Sequence, residues 1–287
     1  MLRAEDNPFT ITRVLNHNVI LVEEASTMQE VVLFGKGIGF GKKPGETFSG
    51  QDPRVEKRFR LEGESQQKQY KTLLNQVDPA VVGIAEEIIA LVAKECPLAN
   101  EHIHLALPDH IQFALYRLQN GLEIVNPFLF EIQTLYPREY ELAARAAAMI
   151  AHTFHLQVPD SEIGFLALHI HAAIHATPVN QTVQVTTLLQ NLVEMIEQRL
   201  RYPIARGSVD YIRLITHLRF AVERIRQQKT IQNPLLDRIQ SIAPEAHQLA
   251  EELATFLSER LCVPVPEDEV GYMALHLYRL FQQQTIE

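Results

Sequence analysis

One nine-residue pattern occurs twice in this chain and constrains its fold more than any other feature. "EIGFLALHI" covers 162–170 and "EVGYMALHL" covers 269–277, so the copies lie 107 positions apart with a histidine eighth in each. "DHIQFALYRLQNG", which begins at Asp109, matches "THLRFAVERIRQQ", which begins at Thr216, at the same spacing. Several matches at one fixed offset indicate a duplicated unit of normal domain size.

Within each copy the apolar residues recur at intervals of three and four. "PAVVGIAEEIIALVAKE" and "TTLLQNLVEMIEQRL" both have this spacing, which is typical of amphipathic helices. The stretches that begin at Pro159 and Pro266 place proline and acidic residues first, as helix N-termini prefer. The sequence therefore predicts two duplicated all-α helical-bundle domains, over 65–175 and 176–287.

The first sixty residues have a different pattern. "FTITRVLNHNVILVEE" alternates in part and is rich in β-branched residues, and "QEVVLFGKGIGFGKKPGETF" follows with glycine at alternate positions. Glycine at alternate strand positions permits close backbone approach. We therefore expect a small antiparallel all-β domain, with its linker, over 1–60, and its short length suggests that a second copy is needed to bury its core. The polar stretch from Ser49 to Lys71 predicts a linker to the first helix.

The composition of the chain restricts the cellular location that we expect for the protein. No apolar run reaches the roughly 18 residues that span a bilayer, and the first residues lack the basic-then-apolar order of a signal peptide. Cys96 and Cys262 are too few for a disulfide framework and too far apart for a paired metal site. We therefore expect no membrane insertion and a reducing, cytoplasmic location. The formal net charge of −9 opposes non-specific nucleic-acid binding by the whole chain but is compatible with a local RNA site.

Two histidine positions recur between the copies. His110 corresponds to His217, and His169 corresponds to His276. The positions that correspond to His102, His104, His171 and His175 hold Val209, Tyr211, Tyr278 and Gln282. A neutral imidazole near its ordinary pKa of about 6.5 is a competent nucleophile for phosphoryl transfer. The alternative is that duplication preserved buried core histidines, and the residues alone leave both interpretations open.

The other histidines and two nearby arginines also have alternative interpretations. His171 and His175 stand four apart, a workable zinc-ligand spacing, but they do not recur and no acidic or cysteine ligand is obvious near them. We therefore expect no metal ion and no other cofactor. Arg117 and Arg224 follow the first histidine of each pair by seven residues. They are either phosphate partners supplied to another helix or subunit, or solvated arginines.

The glycine-rich stretch carries candidates for RNA contacts. It does not fit a phosphate-binding loop, because no Ser or Thr follows its lysine at the required place and no helix follows. Side chains here could contact phosphates, stack on a splayed base or bond to base edges. These candidates are Arg13, Lys36, Lys42, Lys43, Phe40, Asn16 and Asn18. A glycine-rich structural sheet without an RNA role is the alternative.

Together these segments resemble a known family. "ITRVLNHNVILV" and "EVVLFGKGIGFGKK" are similar to the co-antiterminator (CAT) RNA-binding domain of the BglG/SacY family of transcriptional antiterminators. The two repeats resemble the phosphotransferase-system regulation domains (PRDs) that follow it in that family. "EHIHLALPDHIQFALYRLQNG" and "DYIRLITHLRFAVERI" most resemble its glucose-operon branch.

The resemblance implies a mechanism. The β domain, as part of a homodimer, binds a hairpin in the leader mRNA and prevents termination ahead of a sugar-permease gene. The phosphorylated EIIB domain of the permease modifies the first regulation domain when sugar is scarce, which disables RNA binding, and HPr is the donor for the second. The implied phosphorylation sites are His110, His169, His217 and His276. The implied RNA contacts are Arg13, Asn16, Asn18, Gly35, Lys36, Phe40 and Lys42.

Two departures from the family pattern affect the RNA contacts. Arg13 stands where lysine is common, which keeps the charge but changes the donor geometry. His17 interrupts a usual run of asparagines. Other functions remain as alternatives: a regulator or adaptor of another sugar operon, a DNA-binding activator with the same regulation domains, or a metal-dependent phosphohydrolase. The activator requires a helix-turn-helix at the front, where the sequence indicates strands instead. An enzyme is not expected.

Overall fold

The computed structural model describes residues 8–60, 64–229 and 231–284. The chain divides into two compact units. Unit 1 comprises Met1–Pro127 and Arg138–Val179, and unit 2 comprises Phe128–Pro137 and Asn180–Glu287. None of the helices described is long and apolar enough to cross a membrane.

The start of unit 1 is a five-stranded antiparallel sheet, as the sequence predicted. Its strands are β1 (Pro8–Val14), β2 (Val19–Glu24), β3 (Glu30–Phe34), β4 (Thr47–Ser49) and β5 (Lys57–Arg60). Their order across the sheet is β4-β1-β2-β3-β5. A register shift between Ile11 and Arg13 marks a bulge in β1. Bulges bend a strand and re-aim its side chains, so Arg13 departs from the regular register of the strand.

Alternation along the strands sends apolar side chains to both faces of this sheet. One face holds a core cluster of Phe9, Ile11, Ile20, Val22, Val31, Leu33, Ile38 and Phe48. On the other face Val19, Leu21 and Val32 are also buried. A helix of the same unit, Pro79–Glu95, contacts β2 and β3. These central strands are therefore buried on both faces within one chain, and the expectation that a second copy is needed for their burial is wrong.

Two predictions about this region are corrected by the structure. The polar stretch expected to be a linker contains β5, which pairs with β3 from Val31↔Arg60 to Phe34↔Lys57, and it then enters the first helix. The glycines after β3 lie in turns rather than in a strand. Gly39 nevertheless has the expected close backbone approach, because a Cβ there would lie 2.3 Å from the carbonyl oxygen of Asn16. Gly37 has a positive φ of 69°, which favours glycine.

The remainder of the described chain is helical, as expected for two all-α domains. The helices are α1 (Glu64–Gln76), α2 (Pro79–Glu95), α3 (Ile103–Gln119), α4 (Leu129–Leu135), α5 (Pro137–Phe154), α6 (Asp160–Ile174), α7 (Val179–Leu200), α8 (Val209–Arg226), α9 (Leu236–Ile242), α10 (Pro244–Leu261) and α11 (Glu267–Gln284). The duplication is visible in these bounds, because α4, α5 and α6 begin 107 residues before α9, α10 and α11. The domain boundaries at 65–175 and 176–287 stay a prediction.

Local capping explains where several helices begin. Asp78 accepts a hydrogen bond from the backbone N–H of Ala80 at the start of α2, and Pro79 occupies the first turn. Ser208 accepts from the N–H of Tyr211 at the start of α8. In unit 2 the short α4 packs on α8, where the buried Tyr211 hydroxyl donates to Glu131 at 2.7 Å. The element order thus places the repeated histidines on α3 and α6 in unit 1, and on α8 and α11 in unit 2.

Candidate functional site

The histidines that recur in sequence meet in space as two pairs. In unit 1 the ring centroids of His110, on α3, and His169, on α6, lie 4.6 Å apart. In unit 2 the rings of His217, on α8, and His276, on α11, are stacked at 3.6 Å. Each unit therefore contains two adjacent imidazoles from two packed helices. The repeat singled out these four histidines in the sequence but could not place them in contact, and their phosphorylation stays a prediction.

The first pair is partly buried, and the burial acts most strongly on His169. Burial lowers the pKa of His169 to about 3, with a smaller contribution from the neighbouring His110. His169 is only partly buried as a residue, whereas its Nδ1 atom is sequestered and has no hydrogen-bond partner among the described residues. His110 Nε2 lies 3.2 Å from Glu162 Oε2, but the angles do not make this contact a hydrogen bond. The two groups are therefore close without sharing a hydrogen bond.

The second pair lines a cavity of about 350 Å³ in unit 2. Besides His217 and His276, its walls include Arg224, Glu269 and Tyr272. Burial lowers the pKa of His276 to about 4 and lowers the pKa of His217 as well. The charge of Arg224 acts in the same direction on both rings. Both imidazoles are consequently neutral near pH 7, which is the form that can act as a nucleophile.

A buried arginine–glutamate pair accompanies each histidine pair. In unit 1 Arg117 donates to Glu162 Oε1. In unit 2 Arg224 makes two hydrogen bonds to Glu269, at 2.5 Å and 2.7 Å. The carboxylates are almost fully buried, with side chains 1% and 0% exposed. Arg117 and Arg224 are therefore engaged by these carboxylates rather than fully solvated, with side chains 19% and 30% exposed, and their role as phosphate partners stays a prediction.

Sequence reasoning missed the two glutamates, although a signal was present. Glu162 and Glu269 are the first residues of the two copies of the nine-residue pattern. Each stands seven before a repeated histidine, which places it on the same helix face. From the sequence alone, an acidic residue early in a helix indicates only a favourable charge at the N-terminus. Applying the repeat to acids as well as to histidines would have identified both residues.

The non-repeated histidines have other roles. His104 is buried, and its Nδ1 lies 2.7 Å from Glu86 Oε2, so the interpretation as a satisfied core histidine holds there. His171 Nδ1 and His175 Nε2 lie 2.9 Å and 3.2 Å from Glu139 Oε1. The expectation that no acidic group accompanies these two histidines is wrong, because Glu139 comes from α5 and is distant in sequence.

Apart from Arg13, which lies in β1, the candidate RNA contacts lie in the loops that follow β1 and β3. The β1–β2 loop carries Asn16 and Asn18, and the turns after β3 carry Gly35, Lys36 and Phe40. The amide of Asn18 accepts from the N–H of Gly37 at 2.9 Å, and the N–H of Gly35 donates to the carbonyl of Asn18 at 3.0 Å. Phe40 is 71% exposed, which suits stacking on a base. Lys42, further along, lies 3.3 Å from Glu46.

Part of this surface is covered by helices of unit 1. Asn16 Nδ2 and Asn18 Nδ2 both donate to Oε1 of Glu87 on α2, at 2.8 Å and 3.2 Å. Arg13 donates to the carbonyl of Leu74 on α1. Gly83 permits the close approach of α2, because a Cβ there would lie 2.6 Å from Asn16 Nδ2. Three candidate RNA contacts are thus occupied by protein groups, whereas Lys36 and Phe40 face solvent.

We expect Arg224→Met to destabilise the protein by about 2–4 kcal/mol, because it leaves the Glu269 carboxylate buried without its partner. Urea unfolding followed by circular dichroism measures this change. The double variant Arg224→Met, Glu269→Leu should recover at least half of the loss, because it removes the buried charge.

A matched control for this experiment is Arg279→Met. Arg279 forms an exposed 3.8 Å pair with Asp210, so its loss should cost under about 0.5 kcal/mol. A double variant no more stable than the single one would contradict the assignment of a buried, charge-satisfying pair.

Known protein families match the parts of the chain that carry the sheet loops and the histidine pairs. The model of the CAT RNA binding domain matches residues 9–68, and the PRD domain model matches 82–173 and 190–280. The PtsGHI operon antiterminator of Bacillus subtilis (strain 168) is 42% identical over 275 residues, which cover 95% of this chain and 97% of that protein. Protein GlcT of Staphylococcus saprophyticus is 32% identical, with 96% and 98% covered.

A solved structure, the crystal structure of GlcT CAT-PRDI, is 46% identical in sequence. It covers 58% of this chain and 98% of its own, with a TM-score of 0.49. The two PRD matches coincide with the two histidine pairs, and the CAT match coincides with the sheet and its loops. This chain belongs to the BglG/SacY family of transcriptional antiterminators, in which a CAT RNA-binding domain precedes two PRD domains.

Proposed function

We propose that this antiterminator, an RNA-binding regulator and not an enzyme, acts on the leader mRNA of a glucose-permease operon. Its sheet loops would bind an antiterminator hairpin as a homodimer in the cytoplasm. HPr and the EIIB domain of the sugar permease would serve as phosphoryl donors to its histidines. The observation that supports this proposal most is the contact of two repeated imidazoles beside a buried arginine–glutamate pair in each unit.

The chemistry of the histidine pairs fits acceptance of a phosphoryl group. A neutral imidazole nitrogen attacks the phosphorus of the phosphorylated donor, and the donor side chain leaves with the bonding electrons. The product carries a new charge of roughly −1.5 to −2 close to a stacked second ring. In unit 2 Arg224 lines the same cavity as His217 and His276, so the phosphoryl oxygens would compete with Glu269 for this guanidinium.

Through that competition, phosphorylation would change how two helices pack. Arg224 joins α8 to Glu269 on α11, and Arg117 joins α3 to Glu162 on α6. A guanidinium drawn to phosphate leaves a buried carboxylate without its partner, which is costly and favours a different packing of the two helices. Charge placed on one imidazole would thereby shift a helix pair between two arrangements.

The helix rearrangement would act on the candidate RNA contacts of the sheet. Asn16 and Asn18 carry amide donors suited to base edges, and here both donate to Glu87. A hairpin that used the same donors would have to displace α2. We therefore assign this conformation to the protein without RNA.

We expect the first-unit variants His110→Ala and His169→Ala to differ from the second-unit variants His217→Ala and His276→Ala in donor-specific labelling. At least one first-unit substitution should abolish labelling that depends on the EIIB domain, because the acceptor nitrogen is gone. At least one second-unit substitution should abolish labelling by HPr. Purified proteins and radiolabelled phosphoenolpyruvate with the general phosphotransferase enzyme measure both reactions.

His152→Ala is the control for this labelling experiment, since His152 is an exposed histidine on α5 outside both pairs. It should be labelled as the unaltered protein is. Unchanged EIIB-dependent labelling in both first-unit variants would refute the assignment of the first pair.

We expect Glu87→Ala to bind the leader hairpin roughly tenfold more tightly than the unaltered protein, because two hydrogen bonds to a carboxylate no longer compete with RNA. Fluorescence anisotropy at one fixed salt concentration measures the affinity, since such binding depends on salt.

Glu95→Ala provides a matched control on the same helix. Glu95 is paired with Arg145 rather than with a sheet loop, so its removal should leave RNA affinity unchanged. Equal affinity of Glu87→Ala and the unaltered protein would show that the contact with α2 does not limit access of RNA.

A further inference from the structure

A cluster of metal-ligating side chains lies in unit 1 outside both histidine pairs. Glu139 stands in the first turn of α5, His171 in the last turn of α6, and His175 directly after α6. One nitrogen of each imidazole faces the same carboxylate oxygen, at 2.9 Å and 3.2 Å. The three ligand atoms all lie within 4.8 Å of one another. Two imidazoles and a carboxylate form a familiar ligand set for zinc.

The spacing of the ligand atoms suits a tetrahedral ion. Zinc bonds of about 2.0–2.2 Å place neighbouring ligands roughly 3.3–3.5 Å apart. The two nitrogens would move away from Glu139 Oε1 by only a few tenths of an ångström, and they would adjust their separation from each other within the 4.8 Å that now contains all three ligand atoms. When zinc is bound, each imidazole would coordinate it through the nitrogen that now faces Glu139 and keep its proton on the other nitrogen. The side chains of Glu139 and His171 are 10% and 14% exposed, whereas that of His175 is 51% exposed. Water can consequently reach a fourth position.

The internal repeat provides an independent argument. The positions equivalent to the three ligands hold Ala246, Tyr278 and Gln282. All three ligands are therefore absent together from unit 2, although the helices that carry them are repeated. There Gln282 donates to the hydroxyl of Tyr278 at 2.6 Å, so the fold is satisfied without a carboxylate or imidazole. The cluster is a local property of the first copy and not a requirement of the helical bundle.

We propose that Glu139, His171 and His175 form a zinc site with one open position, which ties α5 to the C-terminal end of α6. The alternative is a hydrogen-bonded cluster of one carboxylate and two imidazoles that performs the same structural task without a metal. These two arrangements differ in whether the purified protein takes up zinc at these residues. The site does not depend on the histidine pairs or on RNA binding, so its test stands apart from the proposed function.

The deciding experiment titrates Zn²⁺ into metal-free full-length protein by isothermal calorimetry. We expect one ion bound per chain and a higher thermal unfolding midpoint in its presence. The triple variant Glu139→Ala, His171→Tyr, His175→Gln introduces the residues that the second copy already uses. It should lose the site and the zinc-dependent increase in midpoint. His152→Gln, which removes an exposed histidine from α5, should keep both.

A single variant protects the test against misfolding of the triple variant. His175→Gln alters one half-exposed ring and should weaken zinc binding by at least about tenfold, since loss of even an outer partner of a zinc ligand costs 10–100-fold. Zinc uptake that is absent from the unaltered protein, or that is equal in the unaltered protein and both ligand variants, would overturn the proposal.

Discussion

The buried ion pair between a guanidinium and a carboxylate is the interaction on which each histidine site depends. Glu162 and Glu269 are fully removed from solvent, and an unpaired charge at such a depth would be strongly destabilising. Arg117 and Arg224 supply the missing charge from the neighbouring helix. The same two helices carry the paired imidazoles, so the ion pair fixes the helix contact that brings the rings together. A change of charge at the rings therefore acts directly on the interaction that positions them.

Features that depend on residues close together in the sequence could be predicted, whereas features that depend on contacts between distant segments could not. The helical repeats, the small antiparallel sheet and the four repeated histidines follow from local periodicity and from the 107-residue offset. The strand β5 was missed because three of the four residues in "KRFR" are basic, and only its pairing with β3 makes it a strand. Edge strands are commonly charged in this way, so polarity alone was a poor guide to a linker.

Contacts between distant segments were beyond local reasoning. Glu139 meets His171 and His175 across a gap of more than thirty residues, and Glu87 meets Asn16 across seventy-one. No spacing rule links such positions, because they depend on which helix faces pack together. The family resemblance implied candidate residues for RNA contact but gave no indication that α2 would contact them. Gly83 carried a weak signal, since a helical glycine often marks a close approach.

The two-sided burial of the small sheet has a consequence for assembly. Val19, Leu21 and Val32 point away from the core cluster, and on this side the ring of Phe59 lies 4.9 Å from the ring of His104. The first helical domain thus covers apolar strand residues that would otherwise be exposed to solvent. A second sheet could pack on this face only if the first helical domain moved away. Burial within the chain and self-association through this face are therefore mutually exclusive.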